Sequence, residues 1–136
     1  RLLFVADNDT PTVSGPSSHP GLEVFSLPSL HRIADLTTGT PAALPLGVAV
    51  DATADRVLVT NEGDGTIVAY SLATLREIAR ARTGRTPWLL AVDGRRHAVF
   101  VPDAMDDTFD VYDDRTLAPA ARQVATCEYP TSISVL

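Results

Sequence analysis

Three short stretches concentrate the side chains that could do chemistry: Asp7, Asn8 and Asp9; Asn61, Glu62 and Asp64; and Asp103, Asp106 and Asp107. Carboxylates and amides converging from separate loops can hold a calcium ion or a cationic ligand, because hard cations take oxygen donors. The same residue types, with Gly63 and Gly65 among them, are also what tight turns use, since Asp and Asn side chains bond their own backbone. The turn reading takes precedence, and neither a resident metal nor a cofactor is expected. Arg85, Trp88 and Tyr129 form a second set, in which a guanidinium and two aromatics would clamp an anionic or sugar-like ligand. A third candidate is His19, inside a Pro-, Ser- and Gly-rich stretch from Thr10 to Gly21. The residues expected to contact a ligand are therefore His19, Asn61, Glu62, Arg85, Trp88, Asp103 and Tyr129.

Catalysis has less support. A nucleophile, a base and an orienting acid must be grouped in space, yet no Gly-x-Ser-x-Gly elbow occurs and the serines fall at turns or strand ends. His31 and His97 stand at the starts of apolar runs without partners in the sequence. The single cysteine, Cys127, excludes an internal disulfide and has no neighbour at metal-ligand spacing. It reads as a small buried hydrophobe.

Composition narrows the partners. The net charge of −6 arises from 17 acidic against 11 basic residues, and every basic one is Arg. The arginines are dispersed apart from Arg80, Arg82 and Arg85, so the basic stripe that releases counterions from nucleic acid is missing. No apolar run approaches the roughly 18 residues of a membrane span, and no basic-then-apolar signal sequence opens the segment. Ten prolines and eight glycines punctuate short alternations rich in Val and Thr, the texture of an all-β chain of many short strands.

Those strands recur. Pro45 to Tyr70 slides onto Pro87 to Tyr112 with a shift of 42 residues and no gap. Ala49-Val50-Asp51 meets Ala91-Val92-Asp93, Val57 and Val59 meet Val99 and Val101, and Thr74-Leu75 meets Thr116-Leu117. Upstream, Leu3 to Asp7 and Val24-Phe25 correspond to Val57 to Asn61 and Ala69-Tyr70; downstream, Pro130 to Val135 corresponds to Pro87 to Val92. A strand-filled period of about 42 residues is that of a propeller blade with four strands. Leu46 to Val50 and Leu89 to Val92 are apolar runs suited to an innermost strand, covered on both faces. Arg56 to Thr60 and His97 to Val101 read as second strands, Thr66 to Tyr70 and Thr108 to Tyr112 as third strands, and Glu77 to Thr83 as a charged outer edge.

The unit resembles the YVTN repeat: Leu58-Val59-Thr60-Asn61 stands where that family has its name-giving tetrapeptide, the third strand ends Val-Ala-Tyr, and Ala73-Thr74-Leu75 resembles the turn before the fourth strand. Pro45 to Asp51 is also similar to the opening of an NHL repeat, and the third unit departs from the pattern with Phe100-Val101-Pro102-Asp103. The resemblance implies an all-β propeller segment of about three four-stranded blades, twelve strands, with units near 1–43, 44–86 and 87–129 and a new unit beginning at 130–136. It implies a non-catalytic binding or scaffold module, in which the loops after the second and fourth strands share a rim that contacts a small molecule, polysaccharide or protein. It also implies an exported bacterial protein, periplasmic or extracellular. The alternative is a sugar-lactone hydrolase similar to the lactonase propellers, with rim carboxylates and His19 or His97 positioning metal or water. Propellers close with about 4 to 8 blades, so three blades imply further blades in a longer chain or a head-to-tail homodimer in which Ser132 to Val135 pairs with Leu2 to Val5 of its partner.

Overall fold

Strict alternation of side chains on the two faces of a strand decides where each residue of the central repeat goes. Val57, Val59, Val68 and Tyr70 pack to one side with Phe4, Leu22 and Val24. Leu58, Ile67 and Ala69 pack to the other with Leu90, Val99, Val101, Tyr112 and Leu117. The central sheet is thus apolar on both faces and sandwiched between its neighbours.

The computed structural model describes residues 1–8 and 20–136. Their eleven strands form three antiparallel sheets, one per repeat. The first holds β1 (Leu2–Asp7), β2 (Gly21–Ser26) and β3 (Arg32–Thr37). The second runs from β4 (Pro45–Asp51) through β5 (Arg56–Asn61) and β6 (Thr66–Ser71) to β7 (Glu77–Arg82). The third contains β8 (Ala91–Asp93), β9 (Ala98–Asp103), β10 (Thr108–Asp113) and β11 (Pro119–Ala125). Each sheet is ordered as the chain runs, and β5, the second strand of the central unit, is buried along its whole length.

The repeat shows in the backbone as well as in the side chains. Leu30, Leu75 and Leu117, at matching places before the outer strands, all adopt positive φ, as do Asp55 and His97 before the second strands. Asp51 accepts from the Thr53 and Ala54 amides, and Asp93 from those of Arg95 and Arg96. A carboxylate that caps a four-residue turn in this way fixes the hairpin between first and second strands.

Neighbouring sheets are joined by hydrogen bonds at fixed places. Tyr70 donates its hydroxyl to the Thr37 carbonyl at 2.7 Å, and Tyr112 donates to the Arg82 carbonyl at 2.7 Å. The tyrosine near the end of the third strand in the second and third sheets is therefore a tie to the preceding sheet, at the last residue of its outer strand. Burial, and then the charge of Glu77, push the Tyr70 phenol up to about 12, so it remains a donor across the physiological range. Near the centre, Thr60 Oγ1 accepts from the Gly47 amide at 3.0 Å and donates to the Trp88 carbonyl at 2.7 Å. A Cβ on Gly47 would stand 2.6 Å from both Thr60 Oγ1 and that carbonyl. The inner strands approach too closely for any side chain there.

Three expectations differ in detail. The inner strand of the third sheet covers only Ala91–Asp93; Pro87 keeps an isolated bridge to Asp103, and between them Leu89 turns outward to 45% exposure. Residues 130–136 make a single ladder contact, a parallel bridge between Ser132 and Leu89, in place of a twelfth strand. An inner strand is held by the antiparallel second strand of its own unit, and Ser132 has only that slanted parallel contact. Cys127 is also exposed, not buried, because it follows β11 in a connection that runs over the surface.

Leu58→Ala, which removes a side chain from the packed face between the second and third sheets, is expected to cost about 2–5 kcal/mol in denaturant unfolding. Ile78→Ala on the outer strand, where Ile78 is 48% exposed, is expected to stay within about 0.5 kcal/mol.

Candidate functional site

The strands run so that β5, β7, β9 and β11 end, and β4, β6 and β10 begin, on one rim. The connections after the second and fourth strands therefore share it. Where the second and third sheets meet, these connections surround an open groove of about 600 Å³. Glu62 and Asp64 contribute from the turn between β5 and β6, Arg82 to Thr86 from the crossing to the third sheet, Met105 and Asp106 from the turn after β9, and Arg122 and Gln123 from β11.

The rim carboxylates are mostly turned into their own loops. Asp64 accepts from the Thr40 amide at 2.8 Å and the Thr40 hydroxyl at 2.6 Å. At the matching place Asp106 accepts from the Arg85 amide at 2.7 Å and from Arg85 Nε at 2.6 Å. Those bonds, the backbone one first, hold the Asp106 carboxyl below its ordinary value. Asp107 Oδ1 takes the Tyr129 amide at 2.8 Å. These residues act as loop clasps, each tying the crossing strand to the turn beside it, and among the described residues no group of three or more His, Cys, Asp or Glu is placed to hold a metal ion.

The proposed ligand set separates into parts. Glu62 and Arg85 line the groove, and Arg85 also donates through Nη2 to the Met105 carbonyl at 2.7 Å. Trp88 is half-buried nearer the centre and meets Tyr129 edge to face, with ring centroids 5.9 Å apart. Tyr129 is 50% exposed. His19 and Asp9, with most of the stretch from Thr10 to Gly21, lie outside the described residues. His97 sits at the opposite end of β9 from Asp103, so it does not join the rim carboxylates.

Asn61 and Asp103 occupy the same place in successive sheets, and the difference between them is chemical. Asn61 is fully buried and donates Nδ2 to the Thr38 carbonyl at 2.9 Å and to Thr66 Oγ1 at 3.0 Å. Asp103 is equally buried and pairs in register with Thr108 as Asn61 does with Thr66. Its carboxyl oxygens make no well-formed hydrogen bond and feel only a weak pull from the Gly84 amide, and the Thr108 hydroxyl has no partner. An ionised carboxylate offers only acceptors, so it cannot replace the amide. Burial, then the charges of Asp110 and Asp106, push Asp103 up to about 7 against the pull of Arg122. Gly84 packs directly on it: a Cβ there would lie 2.7 Å from Asp103 Cγ.

The sequence reading missed Asp110 and Arg122. Asp110 is fully buried where the second sheet has Val68, and it accepts from Arg122 Nε at 2.7 Å and the Gln123 amide at 2.7 Å, while the Tyr112 hydroxyl, 2.9 Å away, has one hydrogen to divide between Asp110 and the Arg82 carbonyl. The Arg122 guanidinium lies 5.9 Å over the Tyr112 ring and donates to the Arg82 carbonyl at 3.2 Å. The replacement of Val68 by Asp110 between matched units was the available signal.

No protein-family model and no curated protein sequence matches the chain. Solved structures do. The hydrazine synthase of Kuenenia stuttgartiensis superposes with a TM-score of 0.61 and 14% identity, over 72% of this chain and 28% of that one. Dihydro-heme d1 dehydrogenase NirN in complex with DHE gives 0.66 and 20% identity, over 88% of this chain and 23% of that one. Both are β-propeller proteins. The fold is a β-propeller segment. At these identities the likeness carries the architecture alone, and the segment spans about a quarter of each of those proteins.

Asp103→Asn restores the donor that Asn61 supplies in the second sheet. Because the folded chain holds the Asp103 proton up to about pH 7 against 3.8 for an ordinary carboxyl, stability falls as pH rises through that window and then levels. The variant is expected to lose this part of the slope and to gain on the order of 1–3 kcal/mol above it, read from urea unfolding at a series of pH values.

Proposed function

We propose that this propeller segment is a non-catalytic binding module of the YVTN type, and that its ligand sits in the rim groove between the second and third sheets. The observation that carries the reading is the groove's wall. Arg82, Arg85 and Arg122 line it together with Glu62, Asp64 and Asp106, and Met105 is the one large apolar side chain among them. Donors and acceptors side by side on a rigid, shallow surface suit a hydroxyl-rich ligand, a polysaccharide or a small sugar-like molecule, that bonds both ways. Loops set on a packed scaffold are where such contacts are commonly placed. Arg82 makes no ion pair among those of the described residues and donates to the Asp64 carbonyl at 3.1 Å, which leaves its charge for a ligand.

The two outer faces enter the same reading. Leu3 and Val5 on the first sheet and Val124 on the third are 40%, 39% and 36% exposed, although such positions are covered inside a closed ring. Further blades, from the same protein or from a second copy, supply that cover. No helix among the described residues is long and apolar enough to cross a membrane, and a place outside the cytoplasm rests on the likeness to YVTN repeats.

Titration calorimetry against a panel of neutral and acidic oligosaccharides is expected to show binding that Arg82→Ala and Arg85→Ala together weaken about tenfold or more, while Arg76→Ala, on the opposite rim, leaves it unchanged. Binding that survives the double change would place the ligand elsewhere. Light scattering is expected to give more than one protomer's mass if this segment alone is soluble and folded; a single protomer's mass would remove the second copy as the missing cover.

A further inference from the structure

The rim groove has a counterpart one junction earlier. Where the first and second sheets meet, a second groove of about 570 Å³ opens on the same rim, with Thr37, Gly39 and Thr40 on one side and Asp64, Arg80 and Arg82 on the other. Repetition of the sheets puts the same parts in both. Thr37 and Arg82 end β3 and β7, each paired with the first residue of its neighbouring strand, Gly21 and Thr66. Two residues later come Gly39 and Gly84, where any Cβ would collide with the acid of the adjoining turn, Asp64 or Asp106. From the following sheet an outer-strand arginine closes each groove, Arg80 in the first and Arg122 in the second.

Asp64 and Arg82 line both grooves, so the two are neighbours across one wall. Sheets packed face to face stand about 10 Å apart. A molecule that reaches from one groove into the next is therefore a chain.

Resting on the reading of this rim as a ligand site, we propose that the ligand is an acidic polysaccharide lying along the rim across both grooves, with one of its acid groups held by Arg82 on the wall between them.

The charges on the two grooves fit that ligand. Asp64 is spent on Thr40, Asp106 on Arg85, and Glu77 takes Nε and Nη2 of Arg80 at 3.0 and 2.8 Å. Arg122 gives Nε to Asp110 and Nη1 to the Arg82 carbonyl. A guanidinium has five N–H groups, so Arg80 keeps Nη1 and Arg122 keeps Nη2 for neutral acceptors such as sugar oxygens. Arg82 alone of these arginines makes no ion pair among the described residues, and it sits where the grooves adjoin. Glu62 lines only the second groove, on the turn after the second strand, and so stands inward of the outer-strand arginines, where it can accept from hydroxyls.

A peptide fits less well. Bound peptides use pockets for alternate side chains or an apolar groove, and Met105 is the one large apolar side chain in either groove. Threonines take that place instead, Thr37, Thr40 and Thr66 in the first groove, Thr83 and Thr86 in the second.

Titration of the full chain with digalacturonate and octagalacturonate separates this proposal from the reading it rests on. The longer chain is expected to bind about tenfold or more tightly, because its second part meets the adjoining groove at high effective concentration. Arg80→Ala, confined to the first groove, is expected to bring octagalacturonate down to the affinity of digalacturonate. That change breaks one exposed ion pair and costs the fold little. Glu77→Gln, which releases Arg80, is expected to strengthen octagalacturonate binding, and Arg82→Ala to weaken both lengths. Equal affinity for the two lengths, a length gain that survives Arg80→Ala, or indifference to Arg82→Ala overturns the proposal while the groove between the second and third sheets stands. Octaglutamate bound as tightly as octagalacturonate also overturns it, by making the ligand an acidic peptide. Binding of neither oligosaccharide, in company with no binding of neutral ones, overturns the underlying reading as well.

Discussion

The rest of the structure depends on a sheet that is apolar on both faces. A four-stranded antiparallel sheet usually keeps one side in water, but β5 and β6 send Val57, Val59, Val68 and Tyr70 toward the first sheet and Leu58, Ile67 and Ala69 toward the third. Neither set is covered by its own unit. The repeats must therefore stack, and the stacking sets a rim, where the second and fourth strands of each unit end. Everything chemical in the molecule is then placed by which end of a strand it occupies.

Polar atoms at the junctions are the second constraint. Inside a packed interface each donor or acceptor needs a partner, and the matched ties through Tyr70, Tyr112 and Thr60 supply them. The junction between the second and third sheets differs from that between the first and second by the acids at 103, 110 and 114. Asp110 is answered by Arg122 and Tyr112. Asp103 and Asp114 keep oxygens without a well-formed hydrogen bond, one near each rim. The rim groove and these buried acids thus gather on the same junction.

Much of the fold was legible because the period is carried by residues with physical reasons to recur. Asp51 and Asp93 cap turns, Tyr70 and Tyr112 tie sheets, and alternating apolar residues face both neighbours. What was not legible is where a unit keeps the repeat's backbone and changes its chemistry. Asp110 replacing Val68 and Asp114 replacing Leu72 look like ordinary surface carboxylates until the sheet shows them buried. The shortened β8 was hidden for a related reason: Leu89 is apolar, but it turns outward and the ladder is interrupted between Pro87 and Ala91. For the site, the acidic turns and Arg85 reached the rim as read, whereas the groove draws equally on Arg82 and Arg122 from the outer strands, which carry no turn signal.

Native-state hydrogen exchange tests the stacked-sheet account most directly. Amides of Val57, Leu58, Val59, Val68 and Ala69 are expected to exchange only through global unfolding, as strands enclosed on both faces must, while those of Ile33, Ile78 and Arg80 on the outer strands open locally and exchange sooner. If β5 exchanged as readily as β7, the central sheet would not be enclosed by its neighbours, and the account of the rim and its junction would fail with it.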